Sequence, residues 1–292
     1  MSDPGVSVPD MTRSAGCRVV ELKATGKGYT FPVLVVYPTG SAETSEAFGP
    51  YPFEVALDAP VVPGTHPLVV ISHGTGGSHL LYRGLATHLA RAGFVVAMPE
   101  HPQNNRHDNE LGGTAEILEN RPEHVRQVID WAADTFDIGP VAVVGHSLGG
   151  YTGLALAGGR PTAFPHETPD RLPHPVEVTP DDRVRALVLL APATAWFAHS
   201  GALADVAVPI LMLTAEHDEH TPPWHGEIVV NGVAGVEHRV VPGAGHYSFL
   251  TPFPERMTSP AFPPSQDPAG FDRAAFHARL DDEVLTFLRR VL

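Results

Sequence analysis

The stretch VAVVGHSLGGYTGLALAGG, residues 141–159, decides the fold. An apolar run ends at Gly145, a His-Ser pair follows, and a segment rich in Ala, Leu and Gly begins at Leu148. The first part is typical of a buried strand and the last part of a helix, so Ser147 is expected at a sharp strand-to-helix turn. The pentapeptide GHSLG, residues 145–149, also matches the G-x-S-x-G pattern in which such a turn exposes a serine nucleophile. An unreactive turn is the alternative, and partner residues elsewhere must decide.

Strand-like and helix-like segments alternate on both sides of this turn. Apolar, β-branched runs predict strands at 17–24, 31–38, 66–74, 94–99, 140–145, 183–192, 208–218 and 237–243. Helical spacing predicts helices at 78–93, from Pro122 onward, and at 148–158, 223–233 and 271–292. The first two strands, separated by Gly26 and Gly28, predict a hairpin. The alternation predicts an α/β fold: a mostly parallel central sheet with an N-terminal antiparallel hairpin and helices on both faces.

The pattern also predicts how the chain is divided. Residues 1–15 are expected to form a flexible tail and residues 16–292 a single domain. The segment between the second and third strands is interpreted as a Pro/Gly-rich connector. Two stretches at about 159–182 and 251–270 are rich in proline, and inserted loops of this kind are typical of lids and pocket walls.

Composition narrows the class of partner. The net charge of −14 would repel nucleic acid and an anionic membrane surface, so neither is expected as a partner. Cys17 is the one cysteine, which excludes an internal disulfide. No signal peptide is recognisable and no apolar run approaches the ~20 residues that span a bilayer. A cytoplasmic protein without stable membrane insertion is therefore expected, with its oligomeric state open.

A catalytic serine needs a base and an orienting acid, which in this kind of fold follow later strands in the order Ser, acid, His. Asp218 lies just after the strand-like residues 208–214, and His246 lies in a glycine-rich loop after the last strand. Glu216 and Glu219 are rival acids. Glu216 is too close to the strand end, and at Glu219 the chain already continues towards Thr221 and Pro222. A solvated loop histidine is the alternative for His246. The order 147, 218, 246 favours the catalytic interpretation.

The oxyanion of an acyl-transfer reaction needs two N–H donors. One is expected from Leu148, the residue after the serine, and the other from Thr75 in the loop SHGTGGS, residues 72–78. A simple tight turn is the alternative for that loop. His146 is expected to be a packing or hydrogen-bonding neighbour.

Two more features complete the predicted site. His217, His220 and His225 do not have the spacing of a zinc site, so no metal is expected. Four large apolar residues are candidate substrate contacts: Trp196, Phe197, Phe249 and Leu250.

From about residue 17 onward the chain resembles the α/β-hydrolases. The segment PLVVISHGTGGSHLLYRGLATHLARAGFVVAMPEHPQNN, residues 67–105, resembles both the bacterial dienelactone-hydrolase-like proteins and the platelet-activating-factor acetylhydrolases. The closing segments PGAGHYSFL and FDRAAFHARLDDEVLTFL are similar to the first group. The resemblance implies the same triad and oxyanion donors, no metal and no organic cofactor. Dienelactone hydrolases themselves use a cysteine nucleophile, so the likeness makes no claim about substrate.

These observations predict a serine carboxylic ester hydrolase that acts through an acyl-enzyme on a small or medium ester or lactone. A thioesterase, an acyltransferase or a ring-forming or ring-opening tailoring enzyme would use the same triad. A binding protein that kept the fold without the chemistry is a further alternative. The substrate, including its chain length and stereochemistry, is set by loops whose geometry the pattern does not determine, so polyesters and phospholipids stay open.

Overall fold

A ten-stranded sheet runs through the molecule in the computed structural model, which describes residues 14–292. The strands are, in chain order, β1 (Ser14–Lys23), β2 (Thr30–Thr39), β3 (Thr44–Phe48), β4 (Tyr51–Leu57), β5 (His66–Ser72), β6 (Val95–Pro99), β7 (Ile138–His146), β8 (Thr162–Ala163), β9 (His174–Pro175), β10 (Val184–Leu190), β11 (Ile210–Ala215) and β12 (Glu237–Val241). The short β8 and β9 pair with each other, and the other ten form the sheet in the order β12-β11-β10-β7-β5-β6-β2-β1-β4-β3.

The sheet is parallel through its centre and mixed among the N-terminal strands, where β1 pairs with β2 in the antiparallel sense and with β4 in the parallel sense. All neighbours from β12 to β6 are parallel. Strand β2 then joins β6 in the antiparallel sense and forms an antiparallel hairpin with β1. This topology confirms the predicted mostly parallel sheet with an N-terminal hairpin.

Strand β7 carries Ser147 at its end and lies inside the sheet between β5 and β10. Its residues 141–146 are all buried. A strand covered on both faces is apolar throughout instead of alternating, which explains the continuous run of valine and alanine before the turn.

Within residues 14–292, five α-helices cover the two faces of the sheet. They are α1 (Arg83–Arg91), α2 (Ala115–Thr135), α3 (Leu148–Leu156), α4 (Trp224–Gly232) and α5 (Arg273–Val291). Helices α1 and α5 pack into one apolar core, and α2, α3 and α4 pack into a second core on the opposite face. Helices on both faces were predicted, and the structure confirms them.

Two sequence predictions about elements were wrong. The connector after β2 contains the hairpin β3–β4, in which Tyr51, Phe53 and Val55 are buried and the residues between them are exposed. Helix α2 begins at Ala115, so Pro122 lies inside it and not in its first turn.

Helix α2 tolerates the internal proline because another helix supplies the missing donor. Pro122 has no N–H, so the carbonyl of Leu118 loses its helical hydrogen bond. The hydroxyl of Tyr151 on α3 donates to that carbonyl at 3.0 Å. The backbone group left free by the proline is therefore satisfied by tertiary structure.

The N-terminal tail and the lack of membrane insertion were also predicted from the sequence. The predicted tail lies mostly outside the described residues, but Ser14 and Ala15 already belong to β1. Within residues 14–292, no helix is long and apolar enough to cross a membrane.

Candidate active site

Ser147 occupies a strained turn between β7 and α3. Its backbone has φ +54° and ψ −118°, a left-handed conformation that costs on the order of 1–3 kcal/mol for a residue with a side chain. Three hydrogen bonds fix it: the Ser147 N–H donates to the Leu190 carbonyl at 3.0 Å, and the Ser147 carbonyl accepts from Gly150 at 2.9 Å and Ala193 at 2.8 Å. Such strain held by surrounding structure is typical of functional residues.

The two flanking glycines are required by close backbone packing. A Cβ atom at Gly145 would overlap the carbonyl of Gly149, and one at Gly149 would overlap the carbonyl of Ser72 at the end of β5. The glycine positions of the pentapeptide therefore let the turn lie directly against the neighbouring strand.

Asp218 and His246 meet across the ends of neighbouring strands. Asp218 follows β11, and His246 begins a short helix after β12. The Nδ1 atom of His246 lies 2.9 Å from Oδ2 of Asp218, and both residues are buried. Because Asp218 accepts at Nδ1, the histidine proton is held there and Nε2 is left as the free basic atom.

The turn after Asp218 keeps its carboxyl ionised. Oδ1 accepts from the backbone N–H groups of His220 at 2.9 Å and Thr221 at 2.7 Å, and Oδ2 accepts from the Thr221 hydroxyl at 2.8 Å. Burial alone would raise the pKa of Asp218, but the hydrogen bonds from His246 and Thr221 outweigh it and lower that pKa. The rival Glu216 is exposed and accepts instead from the Gly243 N–H.

Ser147 and His246 line one cavity of about 680 Å³. Within residues 14–292 the Ser147 hydroxyl has no hydrogen-bonding partner, so it is free to turn towards the histidine or a ligand. Catalytic hydrogen bonds of this kind are often completed only when the ligand is bound.

His146 supports the backbone of His246. Its Nε2 lies 3.0 Å from the His246 carbonyl, and its Nδ1 lies 2.9 Å from the Tyr82 hydroxyl. Burial, reinforced by the nearby His246, lowers the pKa of His146 to about 3, so its ring is neutral. It therefore donates from Nε2 and accepts at Nδ1, which is the hydrogen-bonding role expected of this neighbour.

Thr75 and Leu148 also line the cavity. Leu148 is the first residue of α3, so its N–H has no partner within the helix. In the part of the chain that the structure describes, neither the Thr75 N–H nor the Leu148 N–H donates to a protein group. The Thr75 hydroxyl accepts from the Asn104 amide at 2.8 Å, which fixes the loop after β5.

The four predicted apolar contacts divide into two pairs. Trp196 and Leu250 line the cavity. Phe197 and Phe249 do not; they belong to the two apolar cores, where Phe197 stacks on Tyr151 and Phe249 packs on Phe276. Large aromatic residues beside a site are often core residues, and a sequence pattern does not separate the two cases.

The rest of the wall comes from segments whose role the sequence did not reveal. Tyr51 belongs to the hairpin that was interpreted as connector, and Phe262 lies in the proline-rich segment 251–270. Glu167, from the segment 159–182, accepts from the Trp196 indole at 2.9 Å. Both proline-rich segments thus contribute cavity walls, as expected.

Two supporting residues were also missed: Thr221 and Asn104. Thr221 follows Asp218 at a spacing typical of local side-chain to backbone turns, and that signal was available in the sequence. Asn104 acts across the fold and carried no local signal. Among the described residues no cluster of three or more His, Cys, Asp or Glu side chains is arranged to hold a metal ion.

The sequence of this chain is similar to a family model and to two curated proteins. Residues 67–209 match a family model described as alpha/beta hydrolase fold. Chlorophyllase-1, chloroplastic, from Citrus unshiu and from Citrus sinensis are each 32% identical over 138 residues, 44% of this chain and 41% of the relative. The chain thus spans about two fifths of the length of these curated relatives.

Solved structures share the fold over nearly the whole chain. A ferulic acid esterase from Streptomyces cinnamoneus has a TM-score of 0.69 at 18% identity, covering 97% of this chain and 90% of that one. A predicted CIB-like hydrolase from Thermoplasma acidophilum has a TM-score of 0.56 at 13% identity, covering 93% of this chain and 99% of that one. A puromycin-hydrolyzing peptidase from Mycobacterium tuberculosis has a TM-score of 0.59 at 15% identity, covering 94% of this chain and 39% of that one. The chain therefore has the α/β-hydrolase fold.

Proposed function

We propose that this chain, which has the α/β-hydrolase fold, is a serine carboxylic ester hydrolase that acts through an acyl-enzyme. One observation carries the proposal. The strained turn of Ser147 opens into the same cavity as His246, whose ring is held by Asp218 at 2.9 Å. A nucleophile, a base and an orienting acid in this chain order and at these strand ends match the requirements of serine acyl transfer.

The first half of the proposed reaction forms the acyl-enzyme. Ser147 Oγ attacks the ester carbonyl carbon while His246 Nε2 takes the hydroxyl proton, and Asp218 stabilises the imidazolium. The carbonyl oxygen becomes an oxyanion that accepts from the Thr75 and Leu148 N–H groups. The tetrahedral intermediate then expels the alcohol, which receives the proton from His246.

The second half uses water. His246 takes a proton from water, which attacks the acyl carbon and gives a second oxyanion at the same donors. Collapse of this intermediate releases the carboxylic acid and returns the proton to Ser147 Oγ. The reaction needs only water and groups of this chain.

The cavity supports a small or medium ester or lactone as substrate. Its volume of about 680 Å³ is within the usual range for small-molecule sites. Tyr51, Trp196, Leu250 and Phe262 supply apolar wall. The name of one matched protein, a ferulic acid esterase, also describes an esterase, and another matched protein is a chlorophyllase.

The remaining sequence expectations are part of the proposal. Motifs at residues 67–105 and 242–250 support a place near the dienelactone-hydrolase-like and platelet-activating-factor acetylhydrolase-like proteins. Residues 14–292, which include the whole of β1, are proposed to fold as one domain, in the cytoplasm. The net charge of −14 supports a function without nucleic acid.

Turnover of p-nitrophenyl butyrate tests the proposal. Wild type should release p-nitrophenol, and Ser147→Ala should lose activity by about a thousandfold or more. Ser200→Ala, an exposed serine outside the cavity, is the matched control and should keep wild-type turnover. Turnover that survives Ser147→Ala would contradict the proposal. Product analysis in the presence of added alcohol would show whether water or alcohol takes the acyl group.

A further inference from the structure

A buried arginine lies beneath the loop that supplies one of the proposed oxyanion donors. Arg121, on α2, has no solvent exposure. Its guanidinium donates to the Asn104 amide oxygen at 2.5 Å, to the Ser72 and Thr152 hydroxyls at 3.3 Å each, and to the His73 carbonyl. All three guanidinium nitrogens donate, to groups at the end of β5, in the following loops and on α3.

None of the acceptors around Arg121 is a carboxylate. Within residues 14–292 it forms no ion pair, although a fully buried charge is ordinarily paired. Burial lowers the pKa of Arg121 to about 9, which leaves the guanidinium charged at neutral pH. Its positive charge is therefore dispersed over neutral dipoles and is not cancelled locally.

Three histidine rings near the guanidinium are neutral as well. Burial, with the charge of Arg121 as the next cause, lowers the pKa of His73, His101 and His124. His101 contacts the Ser72 hydroxyl at 2.9 Å and stacks with His124. These histidines supply dipoles without adding a second charge.

Two of the contacts lead directly to the oxyanion loop. The His73 carbonyl belongs to the peptide that precedes Gly74 and Thr75. Asn104, whose oxygen accepts from Arg121, turns its amide N–H₂ to the Thr75 hydroxyl at 2.8 Å and to Asn109 at 2.7 Å. Arg121 thus holds the loop on both sides of the Thr75 N–H.

We infer that Arg121 is a positioning residue of the oxyanion site, which fixes the Thr75 N–H and keeps an uncancelled positive charge behind it. The inference rests on the proposed function. A cation in a water-poor interior interacts with the full charge of the tetrahedral intermediate and only weakly with the dipole of the substrate carbonyl. Arg121 should therefore stabilise the oxyanion selectively and contribute little to substrate binding.

Two ketones of equal chain length separate these effects. Octyl trifluoromethyl ketone adds to the serine and forms an oxyanion, whereas octyl methyl ketone binds as a neutral carbonyl. Their dissociation constants, together with kcat and KM for p-nitrophenyl butyrate, are measured for wild type, Arg121→Met, Arg121→Lys and Asn104→Ala. Arg183→Met is the control, because Arg183 pairs with Asp181 and Asp130 away from the cavity.

The inference predicts selective losses. Removal of a direct oxyanion donor lowers kcat by about 10²–10³, and this indirect support should account for about 30-fold. Arg121→Met should lower kcat and the affinity for the trifluoromethyl ketone by that factor, with KM and methyl ketone affinity within about threefold. Arg121→Lys keeps the charge, so its losses of kcat and of trifluoromethyl ketone affinity should be smaller. Asn104→Ala should lose about tenfold in the same two quantities, with the same selectivity. Arg183→Met should match wild type.

An equal loss of affinity for both ketones, or unchanged kcat in Arg121→Met, would overturn the inference. If circular dichroism shows that Arg121→Met does not fold, Asn104→Ala and Arg121→Lys decide the test. Unchanged ketone selectivity in both variants overturns the inference. A selective loss of affinity for the trifluoromethyl ketone supports it. Wild type without Ser147-dependent turnover would overturn the proposed function itself. Normal wild-type turnover with unselective variants would overturn the role of Arg121 alone.

Discussion

Mild acid should unfold this chain at a pH where most of its carboxylates are still ionised. The cause is a set of buried histidines that are neutral in the folded state. Burial lowers the pKa of His124 and His146 to about 3, and that of His225 and His277 to about 4. In an unfolded chain, each of these histidines would have a pKa of about 6.5. The unfolded state therefore binds protons first as the pH falls.

The sign and size of the effect follow from these values. Stability from a depressed pKa is fully present above the unfolded pKa and is lost as the pH falls towards the folded one. Between pH 7 and pH 5 each histidine should cost about 2 kcal/mol, or about 8 kcal/mol for the four. Asp281 acts in the opposite direction: burial raises its pKa to about 7, so its protonation should restore about 2 kcal/mol.

The expected net loss is at least about 6 kcal/mol, because the lowered pKa values of His73 and His101 act in the same direction as those of the four. This loss is comparable with the whole stability of an ordinary domain. Urea unfolding followed by circular dichroism at pH 7, 6 and 5 measures it. His277→Gln should reduce the loss by about 2 kcal/mol, whereas the exposed His107→Gln should leave it unchanged. A free energy of unfolding that is flat between pH 7 and pH 5, or identical profiles for the two variants, would refute the reasoning.

Three further predictions concern the triad, the turn and the internal proline. Asp218→Asn should lower kcat for p-nitrophenyl butyrate by about ten-thousandfold with KM nearly unchanged, while Glu216→Gln should be close to wild type; equal effects would be inconsistent with the assignment of the acid. Gly149→Ala places a Cβ against a carbonyl of β5 and should destabilise the fold by at least about 3 kcal/mol in urea unfolding, so wild-type stability would contradict the packing described. Tyr151→Phe leaves the Leu118 carbonyl without its donor and should cost about 1–2 kcal/mol in the same assay, where no loss would show that water replaces the hydroxyl.

The sequence predicted those parts of the molecule that local patterns determine. Continuous apolar runs identified the parallel strands, because a strand buried on both faces has no polar side. The chain order of Ser147, Asp218 and His246 then placed three side chains at the carboxyl ends of parallel strands, where the structure finds them close to one cavity.

The features that were missed depend on distant parts of the chain. The hairpin β3–β4 has prolines and a glycine among its alternating residues, so its turn chemistry concealed the period-two pattern. Helix α2 extends through Pro122, where Tyr151 on another helix satisfies the freed carbonyl, and the sequence does not show that distant contact. Phe197 and Phe249 look like contacts in sequence, but the packing of both cores places them away from the cavity.

Covalent labelling by a fluorophosphonate tests the central claim most directly, because this reagent phosphonylates a serine only when its base and oxyanion donors activate it. Intact-mass measurement should show one adduct on wild type, peptide mapping should place it on Ser147, and Ser147→Ala should stay unlabelled. Unmodified wild type, or an adduct on another serine, would contradict the account.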